Sequence, residues 1–327
     1  MTFPILSVKD LKIHFNVSQP AASGGRAVLK AVDGVSIDIE RGKTLALVGE
    51  SGCGKSTTGY GILGLASVTS GEIHFEGKPL HSMQPKARND LISNEMQIIF
   101  QDPSAALNPK MTVADSIGEP LRIRRWSRAD RAKRVAELME MVGLPATQAS
   151  RFPNEISGGQ RQRVVIARAL ALSPKLIVCD EPVSALDVSI RSQVLNILMK
   201  LQRELNLSYL FISHDLSVVR HIADDVVVMY LGTIVERGRT DDVYGSPRHP
   251  YTEALLSAIP LADPVAQRAR KKIVLSGEIP SPLAAPSGCP FVTRCPIKIE
   301  RCWTDRPQLE PTSNGTDVAC HLRREQA

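Results

Sequence analysis

Nine residues, "GESGCGKST" from Gly49 to Thr57, have the composition and spacing of a loop that holds phosphate. Gly49 and Gly54 bracket four residues, and Lys55 and Ser56 follow. The apolar run "TLALVG" leads in and "KSTTGYGILGL" leads out, so the loop is expected between a strand and a helix. In that setting the amides of Glu50, Ser51, Gly52, Cys53 and Gly54 point at phosphate oxygens, helped by the helix N-terminus. Lys55 then reaches the β and γ phosphates, and the Ser56 hydroxyl ligates Mg²⁺. A pair of carboxylates stands at "LIVCDEP". Four apolar residues predict a buried strand, with Asp180 at its C-terminal end to hold Mg²⁺. Glu181, one residue further, is placed to polarise an attacking water.

Three single residues suit the same chemistry. His214 ends the run "SYLFIS" and could contact the γ phosphate, although a lone histidine is more often structural. Gln101, after "MQIIF", could bridge Mg²⁺ and the helical region that follows. Phe15 could stack on adenine, although an aromatic residue in a β run is usually core. A further glycine pair, in "ISGGQRQR" from Ile156 to Arg163, looks redundant in a chain that already has a phosphate loop.

Taken together, the phosphate loop, Gln101, "ISGGQ", "DEP", "SALD" (Ser184 to Asp187) and His214 resemble the ATP-binding-cassette (ABC) ATPases in order and spacing over roughly residues 5 to 245. The resemblance implies a P-loop NTPase cassette with a mostly parallel core sheet, an antiparallel N-terminal β part and a helical subdomain. It also resolves the second glycine pair. Ser157, Gly158, Gly159 and Gln160 are implied to face the ATP held by the phosphate loop of a second chain, an identical or a sister ATPase. Ile156 stands where the family's signature usually has leucine. Physically, "GGQRQRVVIARALAL" opens a helix whose N-terminal amides suit an anion.

The elements that must position these residues follow from pattern. From Ile5 to about Phe100, β-rich runs dominate, and only the stretch after Lys55 reads as a helix. From about 102 to 172 the pattern turns helical, with "RADRAKRVAELMEMVGL" ending at Gly143. "KLIVCDEP", "SYLFISHD" and "DDVVVMYLGTIVERG" return as strands, with "SIRSQVLNILMKLQREL" as a helix between the first two. Strands alternating with helices indicate an α/β fold with a largely parallel sheet. No internal repeat is present, so one nucleotide domain, residues 1–245, is expected, followed by a proline-rich extension, residues 246–327.

Composition sets the remaining bounds. With 327 residues and 43% hydrophobic content, a large core and a smaller appendage are within reach. The net charge of +6 is concentrated in "RIRRWSRADRAKR" (Arg122 to Arg134) and "RARKK" (Arg268 to Lys272), which read as solvated faces, with no nucleic-acid partner expected. The longest apolar run, "VVVMYLGTIV", falls short of the about 18 to 20 residues that cross a bilayer. The N-terminus has no basic lead or cleavage site, so a cytosolic chain is expected.

The extension narrows the resemblance. "HPYTEALLSAIP", "GEIPSP" and "FQDPSAALNP" resemble the ATPase subunits of oligopeptide and dipeptide importers. That implies two transmembrane permease subunits, an extracytoplasmic solute-binding protein acting indirectly, and a peripheral position on the cytoplasmic face of the bacterial inner membrane. Import of nickel or another small solute is the alternative within the family. A soluble cassette ATPase is the alternative outside it. Four cysteines, Cys289-x5-Cys295-x6-Cys302-x17-Cys320, crowd the extension. They supply the four thiolates of a [4Fe–4S] cluster, and some peptide-importer ATPases with a similar pattern bind one. With His321 nearby, a mixed zinc site is one alternative, and free thiols or a disulfide are the other.

Overall fold

The computed structural model describes residues 4–18, 26–260, 263, 268, 273–278 and 280–322. The basic run 268–272, apart from residue 268, and residue 279 of "GEIPSP" therefore lie outside the described residues. The chain forms two units. One comprises Met1–Ile5, Ile39–Lys43 and Ser82–Phe211; the other comprises Leu6–Asp38, Thr44–His81 and Ile212–Ala327.

In the first unit, α2 (Pro85–Glu95) leads into β6 (Met96–Ile99), and β6 pairs in parallel with β7 (Leu176–Asp180) from Met96↔Leu176 to Ile99↔Cys179. β8 (Ser208–Ser213) lies on the other side of β7. Every residue of β7 and β8 is buried, which explains their unbroken apolar text. Between the strands come α3 (Pro103–Ala106), α4 (Val113–Ile123), α5 (Arg128–Met141), α6 (Gly158–Ala169) and α7 (Val188–Leu205). Thr112 and Ser127 cap α4 and α5 by accepting from the amides of Asp115 and Asp130. Ile117, Leu121, Leu138 and Met139 are buried where α4 packs on α5 and α6. Within the basic run from Arg122 to Arg134, Arg124 pairs with Asp90 and Arg134 with Glu137 and the Leu170 carbonyl, while Arg122, Arg125, Arg128 and Lys133 are exposed, as a solvated face requires.

The second unit holds the antiparallel sheet β2-β1-β4-β5, from β1 (Leu6–Ser18), β2 (Arg26–Ile39), β4 (Ser70–Phe75) and β5 (Lys78–Pro79). Its other strands run in the order β11-β12-β10-β9-β3. β3 (Thr44–Val48) pairs in parallel with β9 (Asp225–Tyr230); β10 (Thr233–Arg239), β11 (Glu310–Pro311) and β12 (Asp317–Val318) are antiparallel. The helices are α1 (Lys55–Ile62), α8 (Leu216–Ile222), α9 (Thr240–Gly245), α10 (Pro250–Ser257) and α11 (Arg301–Thr304). The fold is thus α/β, with an antiparallel N-terminal sheet and a mixed, mostly parallel core sheet. Among the described residues no helix is long and apolar enough to cross a membrane.

Two local readings are corrected. The region before Phe100 contains a second helix, α2, whose only buried residue is Ile92, so it has no apolar stripe to betray it. "DDVVVMYLGTIVERG" is a hairpin, β9 and β10, which turns at Leu231 and Gly232, both with positive φ, as tight two-residue turns demand.

Candidate functional site

The phosphate loop lies wholly in the second unit. β3, buried at every position, delivers the chain to Gly49, whose φ is 147° and where a Cβ would lie 2.3 Å from the Met229 carbonyl oxygen. Gly54 has φ 102°, and a Cβ there would lie 2.2 Å from the Ala31 carbonyl oxygen. Only glycine fits either place. Gly54 also stands before the first residue of α1 and supplies no side-chain cap. Ser51 and Gly52 are exposed at the tip of the loop.

Lys55 opens α1 and is buried, 5% exposed. Its ammonium donates to the carbonyl oxygens of Gly49 (2.8 Å) and Glu50 (3.0 Å) and lies 3.8 Å from Cys53 Sγ. Carbonyl dipoles solvate that charge without neutralising it, which favours a bound anion. Burial pushes the Cys53 thiol up against the pull of Lys55, so Cys53 packs as a neutral group. The Glu50 amide departs from expectation: it donates to Tyr251 Oη at 2.8 Å rather than facing phosphate. The Glu50 carboxylate is held by Arg294 at 2.6 and 3.1 Å. Sequence reasoning missed both partners. "HPY" stood out as a motif, but nothing in it signals a contact 201 residues away.

In the first unit, the β6–β7 register does the positioning. Ile99 is opposite Cys179, so two residues further along each strand Gln101 and Glu181 leave the sheet at the same height. Gln101 Nε2 donates to Glu181 Oε2 at 3.0 Å. Asp180, the last residue of β7, is 3% exposed. Glu181 has φ 48°, a left-handed conformation that turns the chain sharply off the strand at a cost of about 1–3 kcal/mol.

The second glycine pair sits at the head of α6. Ser157 Oγ accepts from the Gln160 amide (3.3 Å) and Gln160 Oε1 accepts from the Ser157 amide (2.9 Å), a reciprocal cap. The two glycines differ. A Cβ on Gly159 would lie 2.5 Å from Ile190 Cγ2 on α7, whereas one on Gly158 would meet nothing within 4 Å. Packing within the chain explains Gly159 and leaves Gly158 exposed and unexplained.

Phe15, on β1, is 39% exposed and so is a surface ring rather than core. His214 is exposed in the turn after β8, next to Asp215, whose carboxylate caps α8. None of the four C-terminal cysteines is in a disulfide; Cys289 and Cys302 are buried, Cys295 and Cys320 partly so. The Cys289 amide donates to the Cys302 carbonyl at 2.8 Å. Burial, with smaller contributions from Cys302, Cys295 and Cys320, pushes the Cys289 thiol up to about 12. The expected metal centre does not emerge from this arrangement. Among the described residues no group of three or more His, Cys, Asp or Glu side chains is disposed to hold a metal ion. His321 Nε2 donates to the Asp305 carbonyl at 3.0 Å, and its Nδ1 is buried without a hydrogen-bond partner.

With this geometry in view, the chain can be compared with known proteins. Residues 32–184 match the ABC transporter family, and residues 235–302 match the oligopeptide/dipeptide transporter C-terminal region. The oligopeptide transport ATP-binding protein OppF of Salmonella typhimurium is 51% identical over 94% of this chain and 92% of its own length. The dipeptide transport ATP-binding protein DppF of Escherichia coli is 50% identical over 97% and 94%. Among solved structures, the ATP-binding cassette MJ0796, a dimer in a post-hydrolysis state with ADP and Pi, is similar at TM-score 0.63. It is 27% identical over 72% of this chain and 98% of that one.

The glycine geometry yields a stability contrast. Gly49→Ala is expected to lower unfolding stability by about 1–3 kcal/mol, since it forces a strained φ against backbone. Gly158→Ala, with open space and no positive φ, is expected to cost nothing. Denaturant titration of both variants checks this, and equal losses would contradict it.

Proposed function

The chain belongs to the family of ATP-binding subunits of oligopeptide and dipeptide ABC transporters, and from that premise we propose how its residues share the task. As the ATPase of a peptide import system, it binds ATP at the loop from Gly49 to Thr57. Lys55 and the amides of Ser51, Gly52 and Gly54 take the phosphates, while the Glu50 amide is committed to Tyr251 and the Cys53 amide, contrary to expectation, to the Glu50 carbonyl at 3.3 Å. Ser56, Gln101 and Asp180 are oxygen donors suited to a hard cation. Mg²⁺, when bound, neutralises charge on the phosphates. With Nε2 turned to Glu181, the Gln101 amide has its oxygen for that task. Phe15 stacks on adenine and His214 addresses the γ phosphate.

The observation that carries hydrolysis is the Gln101–Glu181 hydrogen bond. It fixes the plane of a carboxylate that stands one residue beyond Asp180, and Glu181 serves as the base that takes a proton from the attacking water. Ser157, Gly158, Gly159 and Gln160 act on the nucleotide of a second ATPase chain. Support comes from Gly158, an exposed glycine at a helix N-terminus with nothing in its own chain to require it. Residues 1–245 form the nucleotide-binding domain and 246–327 the transporter-type extension.

The partners and location follow from the same premise. Two permease subunits form the channel, and the chain sits peripherally on the cytoplasmic face of the inner membrane. An open groove of about 1040 Å³ between α4 and α5 is lined by Met111, Val135, Met139 and Leu144, with Arg122 and Arg131. Asp115 and Glu140 line it too, and it suits a short amphipathic permease helix. Peptides are the favoured solute over nickel, because the relatives quoted above are named for peptides.

The four cysteines carry the finer part of the proposal, a [4Fe–4S] cluster with zinc as the alternative. In support, none of the four is in a disulfide, and the Cys289 amide donates to the Cys302 carbonyl, which brings those two chain segments together. Their number and softness fit either group, but their side chains would have to turn to converge on it. Such a centre would supply folding energy to a small extension.

Two measurements check these assignments. Glu181→Gln is expected to keep ATP binding and slow turnover by about 10² to 10⁴; turnover at the wild-type rate would mean that another group activates the water. Metal analysis of anaerobically purified protein is expected to give about four irons per chain, in a coloured protein. One zinc per colourless chain would favour the alternative, and metal-free protein would reject both.

A further inference from the structure

Glu50 is held at both ends by residues far away in sequence. Its amide donates to Tyr251 Oη at 2.8 Å, and its carboxylate receives two hydrogen bonds from the Arg294 guanidinium, at 2.6 and 3.1 Å. Tyr251 and Arg294 both come from the region after residue 245, and neither belongs to the nucleotide motifs.

Each is itself rigidly placed. Glu236, fully buried on β10, accepts from the amides of Arg248 (2.6 Å) and His249 (2.9 Å). His249 Nδ1 in turn accepts from the Tyr251 amide at 3.1 Å, capping α10. The Tyr251 ring is fully buried against Tyr230 (centroids 4.8 Å apart) and Phe291 (5.4 Å). Phe291 lies three residues before Arg294, which is 8% exposed. The chain from Glu236 to Glu50 thus passes only through buried or partly buried groups, where hydrogen bonds hold position best.

The electrostatics give this contact a task. Glu50 directly follows Gly49 in a loop that must accept a highly charged anion. A carboxylate there, 26% exposed in its side chain, would repel phosphate if it were not countered. Arg294 counters it with two parallel hydrogen bonds, the strongest geometry available to a guanidinium and a carboxylate.

We infer that Arg294 is a positioning residue for ATP, neutralising Glu50 and, together with Tyr251, holding the phosphate loop open to the triphosphate. The C-terminal extension is thereby a working part of the nucleotide site. The inference rests on the loop's role as the ATP site.

The test is equilibrium ATP binding to the purified full-length chain with Mg²⁺, alongside its steady-state ATPase. Arg294→Gln uncovers the Glu50 charge and is expected to weaken ATP binding on the order of tenfold, the effect of one unit charge at close range in a partly screened site. KM is expected to rise more than kcat falls. Arg294→Lys is expected to retain most of the affinity. The double variant Glu50→Gln/Arg294→Gln is expected to bind ATP better than Arg294→Gln alone, because the repelling charge is gone, an outcome that loss of packing would not produce. Wild-type affinity in Arg294→Gln, or a double variant weaker than the single, would overturn the inference. A wild-type chain that bound no ATP would instead overturn the premise on which it rests.

Discussion

A buried ammonium whose partners are carbonyls and a thiol, not a carboxylate, sets the terms for everything around it. Lys55 is 5% exposed and donates to the Gly49 and Glu50 carbonyls. Such a charge is tolerated because dipoles solvate it, and it is stabilised further when an anion arrives. The loop can offer those carbonyls only if Gly49 and Gly54 adopt conformations and close approaches that no other residue allows. Those in turn need β3 and the backbone at Ala31 and Met229 as fixed walls. Function here is a property of backbone placement, with one lysine to complete it.

The hydrolytic role proposed for Glu181 makes a different demand, one of strand register. Because β6 and β7 run parallel with Ile99 opposite Cys179, the residues that follow emerge side by side, and an amide and a carboxylate meet at 3.0 Å. A slip of one residue between β6 and β7 would move Gln101 and Glu181 out of step, so the register that pairs the strands also brings these two side chains together. The head of α6 adds a third device, a self-capped helix end with one glycine explained by Ile190 and one explained by nothing inside the chain. That asymmetry is what supports the proposal that this helix end faces a second ATPase.

Much of this was legible in the sequence where chemistry is local. Fully buried strands announced themselves in "TLALVG" and "LIVCDEP", and the phosphate loop lay between its strand and helix as read. Legibility failed where the cause was distant or where the usual pattern was missing. α2 buries only Ile92, so no periodicity marks it. The β9–β10 turn rests on Leu231, a residue without turn propensity that is forced to positive φ. Tyr251 and Arg294 join the loop through tertiary packing, which no local window contains. The cysteines were countable, but the direction of each thiol depends on the fold of the extension, and there count and spacing were not enough.

Thermal unfolding of the full-length chain with and without MgATP, in the wild type and in Lys55→Ala, tests the central claim most directly. Ligand that binds only the folded chain raises its stability by RT ln(1 + [L]/Kd), about 2.7 kcal/mol at a hundredfold excess over Kd. The wild type is expected to gain stability with MgATP and Lys55→Ala to gain little or none. An equal gain in both would contradict the claim that Lys55 in this loop is what holds the nucleotide.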